Sequence, residues 1–144
     1  MRRYLLDTTL VAAFLYNRPV AVRLITPWLE AHEAATSILV YAEVQEYIKG
    51  RANYPQHHRG LRALLRAVYP YFLSYPILER YADLRRQLRP PHGPGLIGDI
   101  DTFLAATAII QHLTLVTTDR DFQRVPGLDV MLIDRTELRR AATS

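Results

Sequence analysis

The sequence predicts a three-layer α/β/α domain built on a central, mostly parallel sheet of four or five strands. Three observations predict it. Short apolar runs of strand length alternate with longer segments of helical period. Strands separated by helices need crossover connections, which favour parallel pairing. The 144 residues carry no internal repeat, low-complexity tract or interdomain linker, so residues 1–144 are expected to form a single domain around one core.

Tyr4-Leu5-Leu6 is a buried strand ending at Asp7, and Leu10 to Leu15 follows a tight turn as a helix. Asn17-Arg18-Pro19 closes that helix, and a second runs from about Val20 to Glu33. Ala34 to Ser37 is a short strand, and Ser37 caps the next helix, Ile38 to Lys49, which stops at Gly50. An arginine-rich helix spans about His57 to Val68. Tyr71 to Tyr75 is expected as a strand between Pro70 and Pro76. Ile77 to Leu88 is an amphipathic helix with Leu78, Tyr81, Leu84 and Leu88 at helical spacing. The Pro90-Pro91-His92-Gly93-Pro94-Gly95 loop cannot be helical. Asp99 to His112 is helix, Leu113 to Thr117 strand, and Val130 to Ile133 the last strand.

Composition removes several function classes. Hydrophobic residues at 49% against 22% charged exclude a disordered or fibrous chain. No apolar run reaches the roughly 18–20 residues that cross a bilayer, and the amino terminus turns polar too soon for a secretory leader. Without cysteine there is no disulfide framework, Cys-ligated zinc or thiol catalysis. A soluble cytoplasmic protein with no membrane association is the expectation. The formal charge is +4, and because Lys49 is the only lysine, 17 of the 18 basic residues are arginine. Arginine grips phosphate through a planar fork, which suits nucleic-acid contact. Genome composition or a thermostable surface explains the same bias. A haloacid-type phosphatase needs a second aspartate where this chain has Thr9, a receiver domain needs a later lysine, and no Gly-Lys-Ser/Thr phosphate loop occurs.

The acids are more informative. Asp7 ends a buried strand, Asp99 and Asp101 open a helix, and Asp119 and Asp121 follow the apolar Leu113 to Thr117 strand. All lie at carboxyl ends of strands or amino ends of helices, the edge where open α/β sheets bind ligands. Glu43 sits on the margin of its helix's apolar arc of Val40, Val44 and Ile48, with no basic residue one turn away on its flank. Its partner is therefore expected from elsewhere in the fold. Each acid alone has a plain structural explanation as a cap or turn residue. Together they need another, because two carboxylates about 4 Å apart repel by roughly 4 kcal/mol at an effective dielectric of 20. Such a cluster persists by sharing protons or by holding a hard divalent cation, Mg²⁺ or Mn²⁺ where every ligand is oxygen. The histidines, His32, His57, His58, His92 and His112, show no ligand spacing and read as surface residues. Arg62 and Arg66 share a helix face and read as solvated. Tyr69, Tyr71 and Tyr75 read as a protein-contact surface, and Trp28 as core or dimer contact.

The segments LLDTT, SILVYAEVQEYIKG, IGDIDTFLAATAII and LTLVTTDRDFQRVPGL resemble a PIN-domain protein, and more narrowly the VapC-type toxins of bacterial toxin–antitoxin pairs. The likeness runs from Tyr4 to about Ile133. It implies a PIN-like fold and a Mg²⁺-dependent (or Mn²⁺-dependent) endoribonuclease similar to the flap endonuclease type. Asp7, Glu43, Asp101 and Asp119 match the family's catalytic, metal-holding acids, Asp7 and Asp101 being the most direct. Thr8, Asp99, Thr117 and Asp121 match supporting positions, and Arg120 and Arg124, nearest Asp119 in sequence, are the expected RNA contacts. The resemblance also implies a homodimer inhibited by a small antitoxin protein. The chain departs from the family's usual Asp-Thr-Asn, reading Asp7-Thr8-Thr9, and the Pro90 to Gly95 loop is unusually stiff. Neither change removes a carboxylate. The alternative is a non-catalytic PIN module binding RNA or a protein partner; such modules usually lack one or more of the acids.

Overall fold

The computed structural model of the protein describes residues 1–142. Strands β1 (Tyr4–Leu6), β2 (Ala34–Ser37), β3 (Tyr69–Tyr71), β4 (Thr114–Thr117) and β5 (Val130–Leu132) form one sheet in the order β3-β2-β1-β4-β5. Every pairing is parallel; at the centre, Leu6 of β1 stands beside Thr36 of β2 and Val116 of β4. The helices are α1 (Thr8–Leu15), α2 (Pro19–Glu30), α3 (Ile38–Lys49), α4 (Tyr54–Ala67), α5 (Tyr75–Leu88), α6 (Asp99–Gln111) and α7 (Arg135–Arg139). A 3₁₀ helix covers Arg120–Arg124.

The three-layer architecture is as expected, with five strands. Helix α1 packs against α2, α3, α4 and α7, while α5 packs against α6. Leu5, Leu6, Leu115 and Val116 are fully or almost fully buried between these layers, because parallel strands covered on both faces need apolar side chains on both. Trp28 stacks on Tyr4 with ring centroids 3.9 Å apart, fixing α2 over the entry to β1. Among the described residues no helix is long and apolar enough to cross a membrane.

Several boundaries differ from the sequence expectation. Helix α1 starts at Thr8 rather than Leu10 because Asp7 caps it, its Oδ1 accepting from the Leu10 amide at 3.1 Å. Helix α2 stops at Glu30 rather than Glu33, and the chain then turns through His32, whose φ is 57°. The third strand is Tyr69–Tyr71, not Tyr71–Tyr75. It lies at the sheet edge, where the missing amide of Pro70 costs no ladder bond. Tyr75 instead opens α5, and Pro76 occupies the first turn, where an amide has no helical partner. Pro55 does the same in α4, which begins at Tyr54. Helix α7 was not expected; it is capped by Asp134, which accepts from the Glu137 amide at 2.9 Å.

Candidate active site

Strands β1 and β4 run side by side in the same direction, so the residues that follow them emerge together. Asp7 follows β1 and is 6% exposed. Its carboxylate accepts from the Thr117 hydroxyl, from the Thr9 hydroxyl at 2.8 Å and from the Leu10 amide at 3.1 Å. Burial pushes Asp7 above the ordinary carboxylate range, and the bonds from Thr117, Thr9 and Leu10 pull it only part of the way back. Thr117, last residue of β4, also accepts from the Asp119 amide at 3.1 Å, so one buried hydroxyl ties the Asp7 side chain to the Asp119 backbone.

Asp119 caps the 3₁₀ helix, its Oδ1 accepting from the Asp121 amide at 2.9 Å. Glu43 is half-buried on α3 and accepts from the hydroxyl of Thr8 on α1. The partner expected from elsewhere in the fold is therefore a hydroxyl and not a cation. Asp101 lies in the first turn of α6, half-buried, and is pushed up to about 6. Burial is the largest cause, followed by the negative charges of Asp119, Glu43, Asp7 and Asp121. The four principal acids thus share one electrostatic neighbourhood, and among the described residues none of them forms an ion pair.

The remaining sequence-selected residues divide. Thr8 and Thr117 each hold a principal acid. Asp121 contributes to the field on Asp101 but is also paired with Arg124 at 2.8 Å. Asp99 is turned to α5, accepting from the Tyr81 hydroxyl at 2.8 Å and lying 3.4 Å from the Arg85 guanidinium. Arg120 is exposed and makes no ion pair among the described residues. Thr9, a departure from the family pattern, keeps a hydrogen bond to Asp7 and has its hydroxyl 3.3 Å from that of Thr118. As the side chains stand, no three acidic or imidazole groups among the described residues close around a single point. Asp7 and Glu43 are instead turned onto hydroxyls.

Sequence reasoning did not single out the open pocket beside this cluster. It measures about 850 Å³ and borders the acids through Thr8, Thr9 and Thr118. Its other walls bring together arginines and aromatic rings from α3, α4 and α7 and from the turns before α2 and after α3. His57, expected on the surface, is half-buried in that wall with its Nδ1 enclosed. No single element carries enough of these residues to form a pattern in sequence.

The family model for the PIN domain matches residues 4–128. No curated protein matches the chain. Among solved structures, the chain is similar to VapBC2 from Rickettsia felis bound to a promoter DNA fragment, with 25% identity and a TM-score of 0.80 over 91% of this chain and 98% of that one. VapBC-1 from nontypeable Haemophilus influenzae is 25% identical with a TM-score of 0.76, covering 90% of this chain and 96% of that one. A toxin–antitoxin complex from Klebsiella pneumoniae is 26% identical with a TM-score of 0.69, covering 89% and 95% respectively.

Proposed function

The chain belongs to the PIN-domain family, and on that premise we propose that it is a Mg²⁺-dependent endoribonuclease, the toxin of a type II toxin–antitoxin pair. The observation that carries this reading is the state of Asp101, pushed up to about 6 by burial and by the charges of Asp119, Glu43, Asp7 and Asp121, with no cation in an ion pair with any of the four principal acids among the described residues. An all-oxygen, uncompensated set of this kind fits a hard divalent ion, Mg²⁺ or Mn²⁺. Asp7 and Asp101 would hold it most directly, with Glu43 and Asp119 completing the set. When bound, the ion supplies neutralisation of charge on the scissile phosphodiester and a lowered pKa for the attacking water.

The protein's own groups do the rest. Thr117 and Thr9 hold Asp7 in one orientation by hydrogen bonds. Thr8 holds Glu43, which accepts the proton of the attacking water as the new oxygen–phosphorus bond forms and the bond to the leaving oxygen breaks. Arg120, exposed and beside Asp119, meets a phosphate of the RNA. Arg124, bound to Asp121, steadies that acid and contacts RNA with its remaining donors.

Residues 1–144 act in this reading as one cytoplasmic PIN domain, paired as a homodimer and inhibited by a small antitoxin. The similar solved structures named above are VapBC and toxin–antitoxin complexes, which supports the partner. Phe72 and Tyr75, 68% and 83% exposed, offer apolar surface for a second copy.

The test is cleavage of a labelled RNA panel in EDTA, Mg²⁺ and Mn²⁺, beside Asp7→Asn and Asp101→Asn. Metal-dependent cleavage lost in both variants is expected. Equal cleavage by the variants, or binding with no cleavage under any condition, overturns it, the latter in favour of a non-catalytic RNA-binding module.

A further inference from the structure

We infer that the pocket beside the acid cluster is a binding site for one unpaired nucleotide of the RNA, adjacent to the phosphate that is cut. This rests on the nuclease reading above for the identity of the strand, and on the pocket itself for the mode of contact.

The pocket is continuous with the acids. Thr8 and Thr9 carry hydrogen bonds to Glu43 and Asp7 while also lining the cavity, so an occupant of it is one residue away from the carboxylates. Its volume of about 850 Å³ exceeds what one nucleotide needs, leaving room for the sugar and phosphates on either side.

Its charge is of one sign. Arg18, Arg51, Arg135 and Arg139 line it, no acidic residue does, and none of the four arginines is in an ion pair among the described residues. A protein core segment or an apolar peptide gains nothing from four uncompensated guanidinium groups. A polyanion does.

Its wall is aromatic. The rings of Tyr16 and His57 lie 4.5 Å apart, and Tyr47 meets Tyr16 edge-on at 6.0 Å. The Arg51 guanidinium sits over the Tyr47 ring at 4.4 Å. Tyr47 is 44% exposed, so a base can stack on this Tyr47–Arg51 pair, as unpaired bases do on rings and guanidinium planes. Behind that platform the Tyr16 hydroxyl and the His57 Nδ1 are enclosed, with no hydrogen-bond partner among the described residues.

The experiment measures binding in EDTA, where no cleavage intervenes. The probe is a fluorescent single-stranded RNA of mixed sequence and a copy with abasic sites. Three proteins are compared: the parent, Tyr47→Ala/Arg51→Ala, and Tyr47→Phe. Both positions are exposed, so the variants keep the fold, which circular dichroism checks. The parent is expected to bind the intact RNA roughly tenfold or more tighter than the abasic copy. The double variant is expected to lose that difference, and Tyr47→Phe to retain it. Loss of Arg51 is expected to lower the slope of log affinity against log salt by about 0.7. Unchanged discrimination and salt slope in the double variant overturn the inference. So does a loss confined to binding of a co-expressed protein partner, which would make this a protein groove. Cleavage by the parent in Mg²⁺ is scored separately. If the parent cleaves and the double variant still discriminates, the pocket inference fails while the nuclease reading stands. If nothing cleaves yet discrimination depends on Tyr47, the nuclease reading fails and the pocket stands.

Discussion

The hydroxyl of Thr117 donates to the carboxylate of Asp7 across 110 residues of sequence, joining the carboxyl ends of β4 and β1. Thr117 is fully buried, and the same oxygen accepts from the Asp119 amide at 3.1 Å. Replacing it with valine keeps the volume and removes both bonds. Thr117→Val is expected to lower the unfolding free energy by about 1–3 kcal/mol, because a buried carboxylate loses a donor and the Asp119 amide loses an acceptor. Cleavage should fall at least about tenfold, or roughly 1.4 kcal/mol of barrier. Urea titration and a single-substrate cleavage assay check the pair of effects. A stable variant with full activity would show that the bond positions nothing.

Asp101 makes the metal-free protein's stability depend on pH in a definite direction. Its folded value is about 6 against an ordinary 3.8, so between those values the folded chain holds a proton that the unfolded chain has released. Stability therefore falls as pH rises through that window and levels off above it. Burial of Asp7 acts in the same sense. Asp101→Asn is expected to melt higher than the parent in EDTA at neutral pH, with a difference that shrinks towards pH 4. Melting curves across the range measure it, and a constant difference would refute the assignment.

Added Mg²⁺ should reverse that trend. A ligand that binds only the folded state stabilises by mass action, about 2.7 kcal/mol at one hundred times its dissociation constant. Protonated Asp101 binds a cation poorly, so the rise in melting temperature should be larger at neutral than at mildly acidic pH and should largely vanish in Asp101→Asn. Calorimetry with Mg²⁺ and with Ca²⁺ as a larger comparison ion tests this.

Asp99 and Asp101 are two residues apart and are expected to differ sharply. Asp99 faces Tyr81 and Arg85 and is exposed, whereas Asp101 faces the other acids. Asp99→Asn should keep cleavage within about threefold of the parent, since exposed ion pairs contribute little. A loss matching that of Asp101→Asn would mean Asp99 swings into the site.

Glu43 and Thr8 form the last pair. Glu43→Gln is expected to reduce cleavage by about 10²-fold or more, the usual effect of losing a positioned proton acceptor. Thr8→Val should cost less, roughly tenfold, while leaving stability nearly unchanged, because Glu43 keeps its carboxylate and loses only the hydroxyl that orients it. Steady-state rates across pH separate the two.

The sequence by itself determined the parallel sheet and the acids. Tyr4-Leu5-Leu6 and Leu115-Val116 are continuous apolar runs because strands covered on both faces cannot alternate. Asp7 and Asp119 follow such runs and Asp101 opens an apolar helix, places where an unpaired charge is costly. Local pattern failed at Tyr69–Tyr71 and at α7, where edge position and a cap, not hydrophobic period, set the element. Only the tertiary structure decided which side chains meet: Thr8 with Glu43, Thr117 with Asp7, Asp99 with Tyr81, and arginines from three separate segments around one pocket. Propensity and periodicity act over a few residues, whereas these meetings depend on strand register and helix packing between segments far apart in the chain.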